Sequence, residues 1–227
     1  MAEAKGVEAV DRALRILECF APDRPELALA DLANATGFYK STILRLAVSL
    51  ENAGYLVRGA SGRFRLGPTT WRLGSAYRQS FDLSEILRPE LKLLSDATGE
   101  TASYYIREGD VRVCLYRSEP ARAIRHYIVE GASMPLDLGA SGKVLRAFSG
   151  NEAEADPQIV AQGHAVSRGE RDPEVAAIAV PVCSARGRLL GALAVSGLIT
   201  RFGEDRVPAL LEALEKSRGR LAEKIAR

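Results

Sequence analysis

A chain of 227 residues, 47% apolar and 26% charged, can form one large domain or two small ones, and it buries a core without metal or disulfide staples. Its net charge of +2 hides a segregation: between residues 40 and 78, Lys40, Arg45, Arg58, Arg63, Arg65, Arg72 and Arg78 face one acid, Glu51, so this window carries +6 and the remainder −4. Cys19, Cys114 and Cys183 have no metal-ligand or redox spacing and fit free thiols in a reducing cytoplasm, while early acids and the lack of a long apolar run argue against a secretory signal or a membrane span.

Val7, Val10, Leu14, Ile16, Leu17 and Phe20 recur at helical spacing, which predicts a first helix over 7–20 that Pro22 and Pro25 stop. Leu29, Leu32 and Ala33 mark a short second helix, and Thr36-Gly37 supplies a turn. A third helix runs from about Tyr39 to Asn52, with Ile43, Leu46, Ala47 and Leu50 as its buried stripe. Ser41, Thr42, Arg45, Ser49 and Asn52 fall opposite. Short hydroxyl side chains at a helix start suit close approach to phosphates, and Arg45 can reach a base edge or a phosphate.

Residues 55–58 then read as a strand, 59–62 as a turn and 63–66 as the returning strand, with Arg63 and Arg65 on one face and Phe64 and Leu66 on the other. A helix pair followed by a basic hairpin is the pattern of a winged helix-turn-helix, a device that places one helix in a DNA major groove. Its charge is that of a polyanion binder.

Gly67-Pro68 opens a linker helix over 68–80, with Trp71, Leu73 and Tyr77 on its apolar side. Asp82, with Glu85 three residues on, is placed to cap the next helix, in which Pro89 predicts a kink or a break. Beyond Thr101, strands are predicted at 101–107, 111–118 and 122–129, then a loop, then a helix near 142–149. A second hairpin over 176–183 and 188–196 precedes a closing amphipathic helix with Val207, Leu210, Leu211, Leu214, Leu221 and Ile225 on its apolar face. Hairpins flanked by helices indicate an α+β domain on a mostly antiparallel sheet.

Enzymatic motifs are weak. A phosphate-binding loop would need Gly at Asp137 and Ser or Thr at Val144, and a nucleophile elbow would need Gly at Lys143. Residues 139–143 instead offer small side chains and free amides before a helix, which suits either an anion such as a carboxylate or a plain helix start. His126 and His164 lack a ligand set. Glu170 and Asp172 could pair as acid and base but carry no partner motif and read as a charged loop. One of Tyr104 and Tyr105 points inward, for core packing or a pocket wall. No catalytic residue, metal site or cofactor is assigned.

The ordered blocks RALRILECF (12–20), LADLANATGFYKSTILRLAVSLENAGYLVR (29–58), GRFRLGPTTWRLG (62–74), ATGETASYYIREGD (97–110), LGASGKVLRAF (138–148), GHAVSRGERDPEVAAIAVPV (163–182) and GALAVSGLITRF (191–202) give the chain a resemblance to the IclR-type bacterial transcriptional regulators over nearly its whole length. The resemblance implies a winged helix-turn-helix over 1–67, a linker helix over 68–80 and a GAF-like effector-binding and oligomerisation domain over 81–227. It implies a homodimer or homotetramer on double-stranded promoter DNA, without membrane association, that senses a small organic acid or aromatic metabolite.

On that pattern Ser41, Thr42 and Arg45 contact the major groove, while Lys40, Arg63 and Arg65 hold phosphates. Ala140, Ser141, Gly142, Ala177, Ile178, Ala194 and Ser196 line the effector pocket. Two departures stand out. Leu44 replaces the His that the family usually carries before the recognition-helix Arg, and the stretch from Lys143 to Gly163 is shorter than the family norm, beside the pocket. The alternatives are an enzyme acting on a small acid, and a regulator whose second domain serves only assembly.

Overall fold

The computed structural model describes residues 6–79, 83–122, 128–184 and 186–225. The chain separates into two compact units, Met1–Phe81 and Asp82–Arg227.

The first unit runs α1 (Glu8–Leu17), β1 (Glu26–Leu27), α2 (Leu29–Thr36), α3 (Lys40–Asn52), β2 (Leu56–Arg58), β3 (Phe64–Leu66) and α4 (Pro68–Gln79). Its core gathers Ile16, Leu32, Ile43, Ala47, Leu56 and Phe64, each large apolar side chain stabilising the fold by about 1.5–3 kcal/mol relative to exposure. Gly37 closes α2 at φ +73 with its amide on the Ala33 carbonyl, a left-handed conformation that a Cβ would strain. Helix α1 stops at Leu17, short of the expected Phe20, and Val7, Val10 and Leu14 are exposed rather than part of the core. Leu66 is also exposed, so the returning strand of the wing buries only Phe64 of its two apolar residues.

β3 is the central strand of three, antiparallel to both β1 and β2. The local sequence does not announce β1. It is two residues long and follows Pro25, so it carries no alternation of its own, and pairing Leu27 with Phe64 is what makes it a strand.

The second unit comprises α5 (Ser84–Thr98), β4 (Thr101–Glu108), β5 (Val111–Ser118), β6 (Ser133–Pro135), α6 (Ala140–Ala147), α7 (Pro157–Gln162), β7 (Ala165–Arg168), β8 (Val175–Cys183), β9 (Leu189–Leu198) and α8 (Val207–Ile225), with 3-10 turns at Glu152–Glu154 and Ile199–Arg201. The six strands form one antiparallel sheet in the order β6-β5-β4-β9-β8-β7. The fold is α+β. Tyr104 and Tyr105 are both buried, as are Ala192, Leu193 and Ala194. Successive strand residues point to opposite faces, so both faces of the sheet are covered. Helix α6 packs on the face carrying Tyr105, Cys114, Ala179, Ala192 and Ala194.

Three expectations change here. Helix α5 runs unbroken through Pro89, whose ring lies on its exposed side while Leu87, Leu91 and Leu94 are buried. Of the strand expected at 122–129, residues 123–127, with His126, lie outside the described residues, and β6 lies in the segment expected to be loop. Helix α6 starts two residues early, at Ala140. Asp82 also lies outside the described residues, and the N-cap position of α5 is Leu83.

Two buried carboxylates pin the helices. Glu100, fully buried after α5, takes two 2.7 Å hydrogen bonds from Arg201 and one of 3.3 Å from Arg206, which also donates to the Thr98 carbonyl. Glu90, 1% exposed on α5, receives Arg220 and Lys224 of α8.

Candidate functional site

Two groups of residues have the geometry of sites, one in each unit. In the first, α3 turns Ile43, Ala47 and Leu50 inward, so Ser41 and Arg45 face out with Lys40 exposed and Thr42 half-buried beside them. The helix opens at Tyr39 without a side-chain cap. Its first amides are therefore available to an anion.

In the wing, Gly59 and Gly62 close the hairpin turn, and Arg58 lies over the Phe64 ring at 5.2 Å. The two wing arginines differ. Arg65 is exposed. Arg63 donates to the Glu26 carbonyl at 3.1 Å and reaches Asp31 at 3.4 Å. Asp31 in turn accepts the Ala28 amide at 2.7 Å, so one carboxylate caps α2 and steadies the wing. Nothing in the local sequence pattern marks that pairing, because its partners lie 32 residues apart.

In the second unit, a cavity of about 40 Å³ opens at the start of α6, lined by Tyr105, Arg112, Ser141, Glu170 and Arg171 among others. That is room for a few waters at most. Ala140 and Ser141 are on its wall, as expected. Gly142 is one residue behind it, where a Cβ would come within 2.3 Å of the Leu136 carbonyl and 2.4 Å of Arg112, so only glycine lets α6 approach this closely. Ala177 and Ala194 pack in the core of the same sheet face. Ser196 is buried and pairs with Ala177 across β8 and β9. Ile178, next to Ala177 on β8, alternates to the other face, and strand period rather than chemistry separates it from the cavity.

The residue that sequence reading missed is Arg112. It is 4% exposed, donates to the Pro135 and Leu138 carbonyls, and lies 5.9 Å from the centre of the Tyr105 ring. Its Nε is buried with no hydrogen-bond partner. Burial pulls the guanidinium below its ordinary value. The available signal was parity: Arg112 and Cys114 share a face of β5, and Cys114 is core.

Glu170 is the second surprise. It does not pair with Asp172, which accepts the Glu174 amide in its own turn. Its carboxylate accepts the Gly139 amide at 2.9 Å and the Lys143 ammonium. Burial pushes the Glu170 carboxyl up, but the Lys143 and Gly139 hydrogen bonds, with the charges of Lys143 and Arg112, bring it below the ordinary value. The α6 N-terminus, for which the sequence left an anion seat and a plain helix start open, thus holds an anion supplied by the chain itself.

The family model for the IclR helix-turn-helix domain matches residues 9–60, and that for the bacterial transcriptional regulator IclR C-terminal domain matches 75–156 and 157–226. The chain belongs to the IclR family of bacterial transcriptional regulators. It is 26% identical to the HTH-type transcriptional regulator KipR of Bacillus subtilis, over 96% of this chain and 97% of that protein. Among solved structures, the Thermotoga maritima IclR superposes with a TM-score of 0.76 at 20% identity, covering 96% of this chain and 98% of that one. An IclR homologue of Microbacterium hydrocarbonoxydans complexed with 4-hydroxybenzoate gives a TM-score of 0.74 at 22% identity, covering 94% of this chain and 99% of that one. These two likenesses establish the IclR fold. Among the described residues no helix is long and apolar enough to cross a membrane, and no cluster of His, Cys, Asp and Glu could hold a metal ion.

Proposed function

We propose that this IclR-type regulator binds promoter DNA as a homodimer through α3 and the wing, under the control of a small anionic effector received at the α6 cavity. The observation that carries the DNA half is the outward face of α3 beside a wing of exposed arginine, inside a +6 window. Ser41, Thr42 and Arg45 enter the major groove, and Lys40, Arg63 and Arg65 hold phosphates. Dimerisation is supported by the apolar residues that the first unit leaves exposed: Val7 at the cap of α1, Val10 and Leu14 on it, and Trp71, 73% exposed, on α4, none of whose residues is buried.

Salt dependence separates the cations. Arg65→Ala reduces the slope of log K against log salt by about one unit, as expected for one phosphate neutralised. Arg63→Ala reduces it by less, because that guanidinium is already shared with Asp31. Anisotropy titrations on one duplex over a salt series measure both, and an unchanged slope in Arg65→Ala removes it from the interface.

For the effector, the supporting features are the buried Arg112 and the Gly139 amide on the wall of one small cavity, and the Lys143 ammonium that reaches it through Glu170. 4-Hydroxybenzoate, the molecule in the Microbacterium complex, is a carboxylate with a phenol ring, and it exceeds 40 Å³. Its entry therefore requires the turn bearing Glu170 to move aside, leaving the ligand carboxylate on Gly139 and Lys143.

A thermal-shift series with 4-hydroxybenzoate and small carboxylic acids tests this. A binder at a hundred times its Kd stabilises the folded unit by about 2.7 kcal/mol and raises its melting temperature, and Lys143→Ala weakens that rise. The small size of the cavity favours a second reading, a domain used only for assembly. No shift with any acid, in a protein that still binds DNA, selects that reading.

A further inference from the structure

Resting on the DNA-binding reading, we infer that Val48 and Leu44 read thymine methyl groups in the operator, beside the base contacted by Arg45. Helix α3 carries two apolar side chains where a solvated surface would carry polar ones: Val48 is 55% exposed and Leu44 37% exposed. They are four residues apart and therefore adjacent on the helix surface. With Ile43, Ala47 and Leu50 buried, the 3.6-residue period points Ser41, Arg45 and Val48 outward together, with Leu44 on the flank of that strip. The face is thus mixed, an arginine bordered by two branched aliphatic groups.

Charge complementarity selects the occupant. Lys40 and Arg45 share the helix surface with these side chains, and the wing brings Arg65. A polyanion satisfies those charges, whereas an apolar protein surface would leave them without counter-charges. Within DNA, the chemical group that matches an exposed Val or Leu is the C5-methyl of thymine, displayed in the major groove. Three residues of helix separate Arg45 from Val48, about 4.5 Å of axial rise. That is near the roughly 3.4 Å base step of one strand. The thymine read by Val48 therefore lies about one step from the base or phosphate that Arg45 meets. Leu44, in place of a hydrogen-bonding residue, extends the apolar contact by about one helical turn on the Val48 side of Arg45.

The experiment replaces thymine by uracil, which deletes the methyl group and keeps every hydrogen-bonding edge. Duplexes selected by the full-length protein from a random library are resynthesised with uracil at single positions and titrated against wild type and Val48→Ala. Wild type loses about fourfold in affinity at one or two positions, the effect of withdrawing one buried methyl. Val48→Ala loses affinity for the thymine duplex and is indifferent to uracil at the position it reads, so the two changes are not additive.

Uracil tolerated at every position by wild type, with binding otherwise intact and salt-dependent, overturns the inference and leaves DNA binding standing. An equal cost of uracil in both proteins overturns it too. A Val48→Ala protein whose oligomeric state changes without DNA, with no uracil effect, assigns the strip to a protein interface instead. Absence of salt-dependent binding to any duplex overturns the underlying reading as well.

Discussion

Replacing Glu100 by Gln lowers the stability of the second unit by about 3–5 kcal/mol, the range for breaking a buried ion pair on one side. Glu100 is fully buried, and its two oxygens take Arg201 side-on and Arg206 from the start of α8, with Arg122 at 3.9 Å. The amide keeps the shape and removes the charge that two guanidinium groups share. It also turns one acceptor into a donor that faces Arg201. At about 2–4 °C per kcal/mol for a chain of this size, the melting transition of that unit falls by roughly 6–20 °C. Replacing Glu100 and Arg201 together by Met recovers part of the loss, because it removes the most closely paired cation with the carboxylate and leaves Arg206 on the Thr98 carbonyl. A calorimetric scan decides. If the double variant melts no higher than Glu100→Gln, the cost is one of packing rather than of charge.

The second large effect belongs to the first unit. Phe64→Ala removes the buried ring at the centre of the small sheet, where β3 is held by both neighbours. Aromatic-to-alanine changes in a core cost about 3–5 kcal/mol. A unit of some eighty residues has about 4–12 kcal/mol to lose, at 0.05–0.15 kcal/mol per residue. DNA binding therefore falls away although Phe64 touches no DNA, and the melting of the second unit stays where it was. Phe64→Leu keeps most of the volume and restores most of both properties. A uniform shift of both transitions would show instead that the two units unfold as one.

Much of this architecture is legible in the chain because period and turn chemistry agree. Ile43, Ala47 and Leu50 mark α3, Gly37 marks the turn before it, and the alternation of Arg63 to Leu66 marks the wing. What is not legible is pairing at a distance. β1 is a strand only because β3 lies beside it, and β6 only because β5 does. Asp31 and Glu170 are indistinguishable from surface acids until the fold brings Arg63 to one and Gly139 to the other. Val48 escapes notice for a different reason: the buried stripe is drawn from apolar residues and the outer face from polar ones, so an aliphatic residue whose angular position places it outside falls in neither set.

The occupied end of α6 bears on how much effector the proposed response would need. Any anion arriving there meets an incumbent carboxylate already tethered to the Gly139 amide and the Lys143 ammonium. Its apparent affinity equals its intrinsic affinity scaled by the fraction of molecules in which Glu170 has let go. If that fraction is about one in a hundred, a hundredfold more metabolite is needed before the site fills. On the proposed effector reading, the carboxylate thus raises the concentration at which the site fills. On the proposed reading, the turn that carries Glu170 sets that fraction, so sensitivity is tuned from one short segment on the cavity wall.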